Sequence, residues 1–250
     1  MAAASPIALV FALREEARPF LALNHLGQPL NRQQSLVLPP IPGRAGALVV
    51  WSGAGSANAA SCMRALLGSG PPYPSAVIAC GFAGGLKPEA APGVAIVADS
   101  VCDSHGHSWT ADAALASAVT RAAESPLVTR ILSSDTVLLT PAEKSAACAT
   151  YGAGAVDMET AAIAAAAGEH GVPWCALRCI TDGVEDYMPL DFNRLSGPGG
   201  DILLPRIIGA VLLRPWAIPG LIRLGARSSA AARRLAQSLS ALLAAAADPA

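Results

Sequence analysis

Short apolar runs rich in β-branched residues, bounded by glycine or proline and alternating with alanine-rich helical segments, narrow the folds open to this chain more than anything else in it. Runs at 7–12, 47–51, 76–80, 94–98, 128–132 and 175–180 read as strands, and 15–22, 57–68, 111–124, 141–150 and 158–170 as helices. Strands apolar on both faces need cover on both. The expected fold is therefore α/β, with three layers: a mixed central sheet flanked by helices. Residues 27–46 and 71–74 read as loops, and three further helices are expected in the tail. With 53% hydrophobic and 14% charged residues the chain has ample material for a large core, which excludes a disordered one.

Residues 1–195 read as one catalytic domain and 196–250 as a helical extension packed on it. Between 202 and 247 there is no acid but there are six arginines (Arg206, Arg214, Arg223, Arg227, Arg233, Arg234), while the whole chain carries a net charge of −1. That asymmetry points to an anionic surface as partner. Two readings of the tail stand side by side. Its arginines face water while the helix packs on the sheet, or Trp216, Ile218, Leu221 and Ile222 enter a bilayer surface and the arginines meet lipid phosphates. No apolar run approaches the ~20 residues of a spanning helix. The apolar start at 7–13 lacks a basic leader and runs into Arg14, Glu15 and Glu16, so a cytoplasmic protein is expected, peripheral at the membrane on the second reading of the tail. A basic stripe with one tryptophan and no reading module argues against nucleic acid. The six cysteines form no CxxC pair and read as buried, reduced thiols. His105 and His107 lie in a loop, and no metal or other cofactor is expected.

The chemistry concentrates in 156–182. Ala155-Val156-Asp157-Met158-Glu159-Thr160 leads into an alanine-rich helix, and Gly171-Val172-Pro173 precedes a strand ending Arg178-Cys179-Ile180-Thr181-Asp182. Acids at a helix start are favoured by the helix dipole alone, and Asp182 reads equally as an N-cap. An acid at the carboxyl end of a strand also sits where α/β sheets place ligand crevices. Taken together with Ser52-Gly53-Ala54-Gly55, Cys80-Gly81-Phe82-Ala83-Gly84-Gly85-Leu86 and Ser134-Asp135-Thr136, in this order, the segment resembles the nucleoside phosphorylase and nucleosidase superfamily from about residue 7 to residue 182.

The resemblance implies roles. Glu159 accepts hydrogen bonds from ribose hydroxyls, Met158 lies against the sugar or base, Arg178 orients the acids, and Asp182 protonates the purine's imidazole-side nitrogen. Asp157, Gly84, Phe82, Val137 and Phe192 complete the expected binding residues. Cleavage builds positive charge on the sugar and negative charge on the base, so a carboxylate at one end and an acid at the other suit it; Asp182 is expected to keep its proton through burial. Ala12-Leu13-Arg14-Glu15-Glu16 resembles the element of methylthioadenosine/S-adenosylhomocysteine nucleosidases whose last glutamate orients a water, which assigns Glu16; the competing reading is that it only opens a helix. The G-D-P-x-R element of the phosphorylases is absent, so water is favoured over phosphate. Phe82 replaces a small polar residue and Val137 an aromatic one, which sets this chain apart from the ordinary nucleosidases. The Asp182-Gly183-Val184-Glu185-Asp186 run and arginine-rich tail look like the hopanoid-associated phosphorylases. That likeness implies adenosylhopane, an adenine nucleoside on a polycyclic lipid, with Phe82, Met188, Phe192 or Trp216 near the lipid; the alternatives are a purine nucleoside phosphorylase or a soluble methylthioadenosine/S-adenosylhomocysteine nucleosidase, and a third is a non-catalytic nucleoside-binding membrane adaptor. The resemblance to the nucleosidases implies a homodimer.

Overall fold

The structure, a computed structural model, describes residues 5–26, 35–68, 73–195 and 215–247. The apolar clusters at 202–204 and 207–213, with Arg206 and Arg214, lie outside the described residues.

The expected core strands are present: β1 (Ile7–Phe11), β3 (Ala47–Trp51), β4 (Ala76–Gly85), β5 (Ala95–Asp103), β7 (Leu127–Ser133) and β9 (Trp174–Asp182). Three short ones join them: β2 (Ser35–Leu38), which falls where a loop was expected, β6 (Ser108–Thr110) and β8 (Ala155–Asp157). They form one mixed sheet of nine strands in the order β2-β3-β1-β4-β8-β7-β5-β6, with β9 bridging β4 and β5. The ring β4-β8-β7-β5-β9 therefore closes on itself, a curl that strand periodicity does not reveal. The helices are α1 (Arg14–Leu23), α2 (Ser56–Leu67), α3 (Ala113–Ala122), α4 (Pro141–Tyr151), α5 (Thr160–Glu169), the short α6 (Phe192–Leu195) and α7 (Ile218–Ala245).

β4 positions the site. Its first half pairs with β1 as far as Cys80, β9 runs along its other edge, and β8 takes over the β1 edge only at Gly84. The interval between Cys80 and Gly84 is free of strand pairing on that edge, so its backbone donors are available to side chains. Close contact there demands small residues. A Cβ on Gly81 would lie 2.6 Å from Arg178 Nη1 and 2.7 Å from Glu16 Oε1.

Within the described tail one continuous 28-residue helix, α7, follows a single 3₁₀ turn, Pro215–Ala217. Pro219 does not break it, because it stands in the first turn, where a missing N–H costs nothing. The buried positions of α7 begin at Ala231, and this half packs against α1, α3 and β9. The leading half is mostly exposed; there Leu221 joins Leu190, Leu195 and Ala217 in a small separate cluster. No helix of the described residues is long and apolar enough to cross a membrane.

Candidate active site

Arg178 lies at the centre, on β9, only 1% exposed. Its guanidinium holds Asp157 Oδ2 at 2.7 Å and Glu159 Oε2 at 3.6 Å, and donates to the Thr160 hydroxyl at 2.9 Å. Burial works against its charge, but Asp157, Glu159 and Glu16 more than offset this and hold the guanidinium above its ordinary value. Asp157 is saturated: it also accepts from Ser133 Oγ at 2.5 Å and from the Thr160 hydroxyl. It positions Arg178 and the start of α5. Glu159, the N-cap residue of α5, instead turns its carboxylate across to the Gly55 N–H at 2.8 Å.

Glu16 opens the helix and also reaches beyond it. Oε2 accepts from the amides of Ala12 (3.0 Å) and Leu13 (2.8 Å), satisfying donors that helix α1 leaves open. Oε1 reaches across to the Phe82 N–H at 2.8 Å, in the unpaired interval of β4. Burial pushes Glu16 up to about 7, with Arg178 pulling down and Glu159 adding to the rise. Burial likewise raises Glu159, partly countered by Arg178. Three carboxylates surround one guanidinium, and burial, more than their mutual repulsion, raises Glu16 and Glu159.

Asp182 ends β9 opposite Gly84, where a register shift brings the pair together; a Cβ on Gly84 would stand 3.1 Å from Asp182 Oδ2. Asp182 has side-chain partners that the sequence reading did not include. Lys144 Nζ, on α4, lies 2.6 Å from Asp182 Oδ2, and Thr181 donates its hydroxyl to Oδ1 at 2.9 Å. Sequence reasoning missed Lys144. The chain has only two lysines against fifteen arginines, which was a usable signal. A capping box between Thr140 and Glu143, with Pro141 at the first turn, fixes the helix start that aims it inward.

Phe82 contributes its amide to Glu16, as above. Met158 lines a cavity of about 140 Å³ with Ser56, Asp103, His105, Trp109, Ser133, Ser134 and Asp135. Glu16, Asp157, Glu159 and Asp182 do not line that cavity, but Ser133, which donates to Asp157, does. A second, of about 20 Å³, reaches Asp182 from the side of Met188, Pro189 and α7. Val137 belongs to a clasp: its N–H donates to Asn193 Oδ1 (2.8 Å), Asn193 Nδ2 donates to Val137 O (3.0 Å), and Met188 N donates to Leu139 O (2.9 Å), while Phe192 packs beside Leu190, Leu195 and Ala217. His105 and His107 lie in the β5–β6 turn, paired with Asp135 and Asp103. All six cysteines are free, and burial raises the thiols of Cys62, Cys80, Cys175 and Cys179.

An α/β protein whose sheet gathers buried acids at the carboxyl ends of β4 and β9, under glycines that admit close approach, is one built around a small polar ligand. The chain belongs to the phosphorylase superfamily, whose family model matches residues 6–194. Among solved structures it is similar to the Streptococcus pneumoniae methylthioadenosine/S-adenosylhomocysteine nucleosidase bound to a transition-state inhibitor (19% identity, 96% of this chain and 99% of that one, TM-score 0.69). It is also similar to the futalosine hydrolase of Helicobacter pylori (18%, 95% and 97%, 0.67) and to that organism's methylthioadenosine/S-adenosylhomocysteine nucleosidase (17%, 95% and 97%, 0.67). At such identities the likeness is one of fold. A search of curated proteins returns no match.

Proposed function

We propose that this protein hydrolyses the N-glycosidic bond of an adenine nucleoside. The observation that carries the reading is the pairing of an over-acidic cluster (Glu16, Glu159 and Asp157 on Arg178) with a separate acid, Asp182, across Gly84. A cationic sugar is stabilised at the first and a departing base at the second. Glu159 takes the ribose hydroxyls, Met158 the sugar face, and Glu16 the attacking water. The surplus negative charge supports water over phosphate, since a dianion approaching Glu16 meets carboxylates and an arginine already engaged.

The substrate we propose is lipid-linked, adenosylhopane being the one to which the tail's resemblance leads. The described tail adds support: Trp216 is 73% and Ile222 69% exposed, with Ile218, Tyr187 and Arg223 also at the surface. Apolar side chains beside arginine at one end of a helix suit a membrane interface. The working form is proposed to be a homodimer.

The test is adenine release in phosphate-free buffer, from adenosylhopane in vesicles and from methylthioadenosine in solution, with the sugar product identified. Adenine with free sugar, faster from the lipid substrate, is expected. Strict phosphate dependence with a sugar phosphate would replace hydrolysis by phosphorolysis. Preference for methylthioadenosine would discard the lipid.

A further inference from the structure

Lys144 is fully enclosed, and the cleavage scheme above leaves it without work. Its Nζ has three partners: Asp182 Oδ2 at 2.6 Å, the Gly183 carbonyl at 2.7 Å and the Asp186 carbonyl at 3.1 Å. An ammonium group has three hydrogens to give, and all three are placed. Two of the acceptors are carbonyls, which only accept. The third is a carboxylate, which can take the proton itself. A neutral amine at the same spot would keep its two hydrogens on Gly183 and Asp186 and turn its lone pair to an Asp182 O–H, so no hydrogen bond is lost when the proton crosses.

We infer that Lys144 is the source of the proton that Asp182 passes to the leaving base. This rests on the N-glycosidase reading. One proton leaves Lys144 Nζ for Asp182 Oδ2, and the Asp182 carboxyl gives a proton to the ring nitrogen of the base as the C–N bond breaks. The bonding pair goes to the base, which departs neutral. Lys144 is left as an amine and Asp182 as a carboxylate. Water adds to the sugar and gives its proton to Glu16, and exchange with solvent then reprotonates Lys144 and discharges Glu16. The step needs an ammonium, because a guanidinium does not release its proton. A chain that uses arginine fifteen times and lysine twice has a lysine here.

Adenosine and 4-nitrophenyl β-D-ribofuranoside share a sugar and differ in leaving group; nitrophenolate departs without a proton. With the full-length protein, Lys144→Met and Lys144→Arg are each expected to lose about 100-fold or more in kcat on adenosine, the span of general acid catalysis, and less than about threefold on the nitrophenyl riboside. Lys144→Arg keeps the charge, so it folds even where Lys144→Met leaves Asp182 buried and unpaired. Nitrophenolate release reports intact sites in either variant. Adenosine cleavage at the wild-type rate in either variant would overturn the inference, and so would equal losses on both substrates, which mark a purely structural ion pair. Asp182→Asn serves as control. If it cleaves adenosine normally, the failure belongs to the N-glycosidase reading; if it is inactive while Lys144→Arg is not, the failure is that of the proton source alone.

Discussion

Glu16 joins helix α1 to the centre of the site through three backbone amides and feels the field of two other charged groups, Arg178 and Glu159. Its value of about 7 makes a prediction with a definite sign. In its proposed role as the acceptor for water it must be ionised, so kcat/KM is expected to fall on the acid side of pH 7, and a pH–rate profile reads this directly. Glu16→Gln removes that limb and lowers the rate about 100-fold. Stability runs the other way. Because the folded protein holds the proton more tightly than the unfolded chain does, Glu16's contribution is full below about 4.5 and is lost as pH rises through about 7. The loss is on the order of 3 kcal/mol and is measurable by urea unfolding at pH 5 and pH 8. The acids of the site were legible in the sequence because motif spacing marks them. Lys144 was not: it reaches a partner 38 residues away from a helix where lysine ordinarily means solvent.

Among the elements, the parallel strands buried on both faces could be recognised from their apolar runs. β6 and β8, at three residues each, are too short to show a period. Asp157 therefore looks like the lead into a helix when it is the end of a strand. The clasp between 137–139 and 188–193 was equally hidden, since it is made of backbone groups and one amide side chain. Asn193→Ala removes both bonds to Val137. We expect limited proteolysis within 184–195 to become several-fold faster and KM to rise, with kcat little changed, because Asn193 touches none of the acids. Unchanged cleavage by the protease would show that the Met188–Leu139 bond and the α6 cluster suffice to hold the segment.

For the whole molecule, the described tail sets exposed apolar side chains beside arginine at the start of α7. The tail's arginines oppose an otherwise acidic chain, and α7 has its exposed apolar residues at the end away from its buried half. Trp216→Ser with Ile222→Ser is expected to reduce binding to anionic phosphatidylglycerol vesicles by about tenfold, while hydrolysis of a soluble nucleoside is retained. Equal sedimentation of mutant and wild type with the vesicles would remove the membrane from the account. That one unbroken helix carries both the buried and the exposed parts was obscured by Pro219, which reads as a break between apolar clusters.

The clasp also bears on how such a protein changes over time. Arg178 and Asp182 stand on one strand, Asp157 ends another with Glu159 just beyond it, and Gly81 and Gly84 admit the close approach between them. The parts that rest on loops are held by a few replaceable hydrogen bonds. On the proposed N-glycosidase reading, substitutions that accumulate in 134–140 and 184–195 shift selectivity while the strand-borne acids keep their places. New selectivity can be tried here without first surrendering the old reaction.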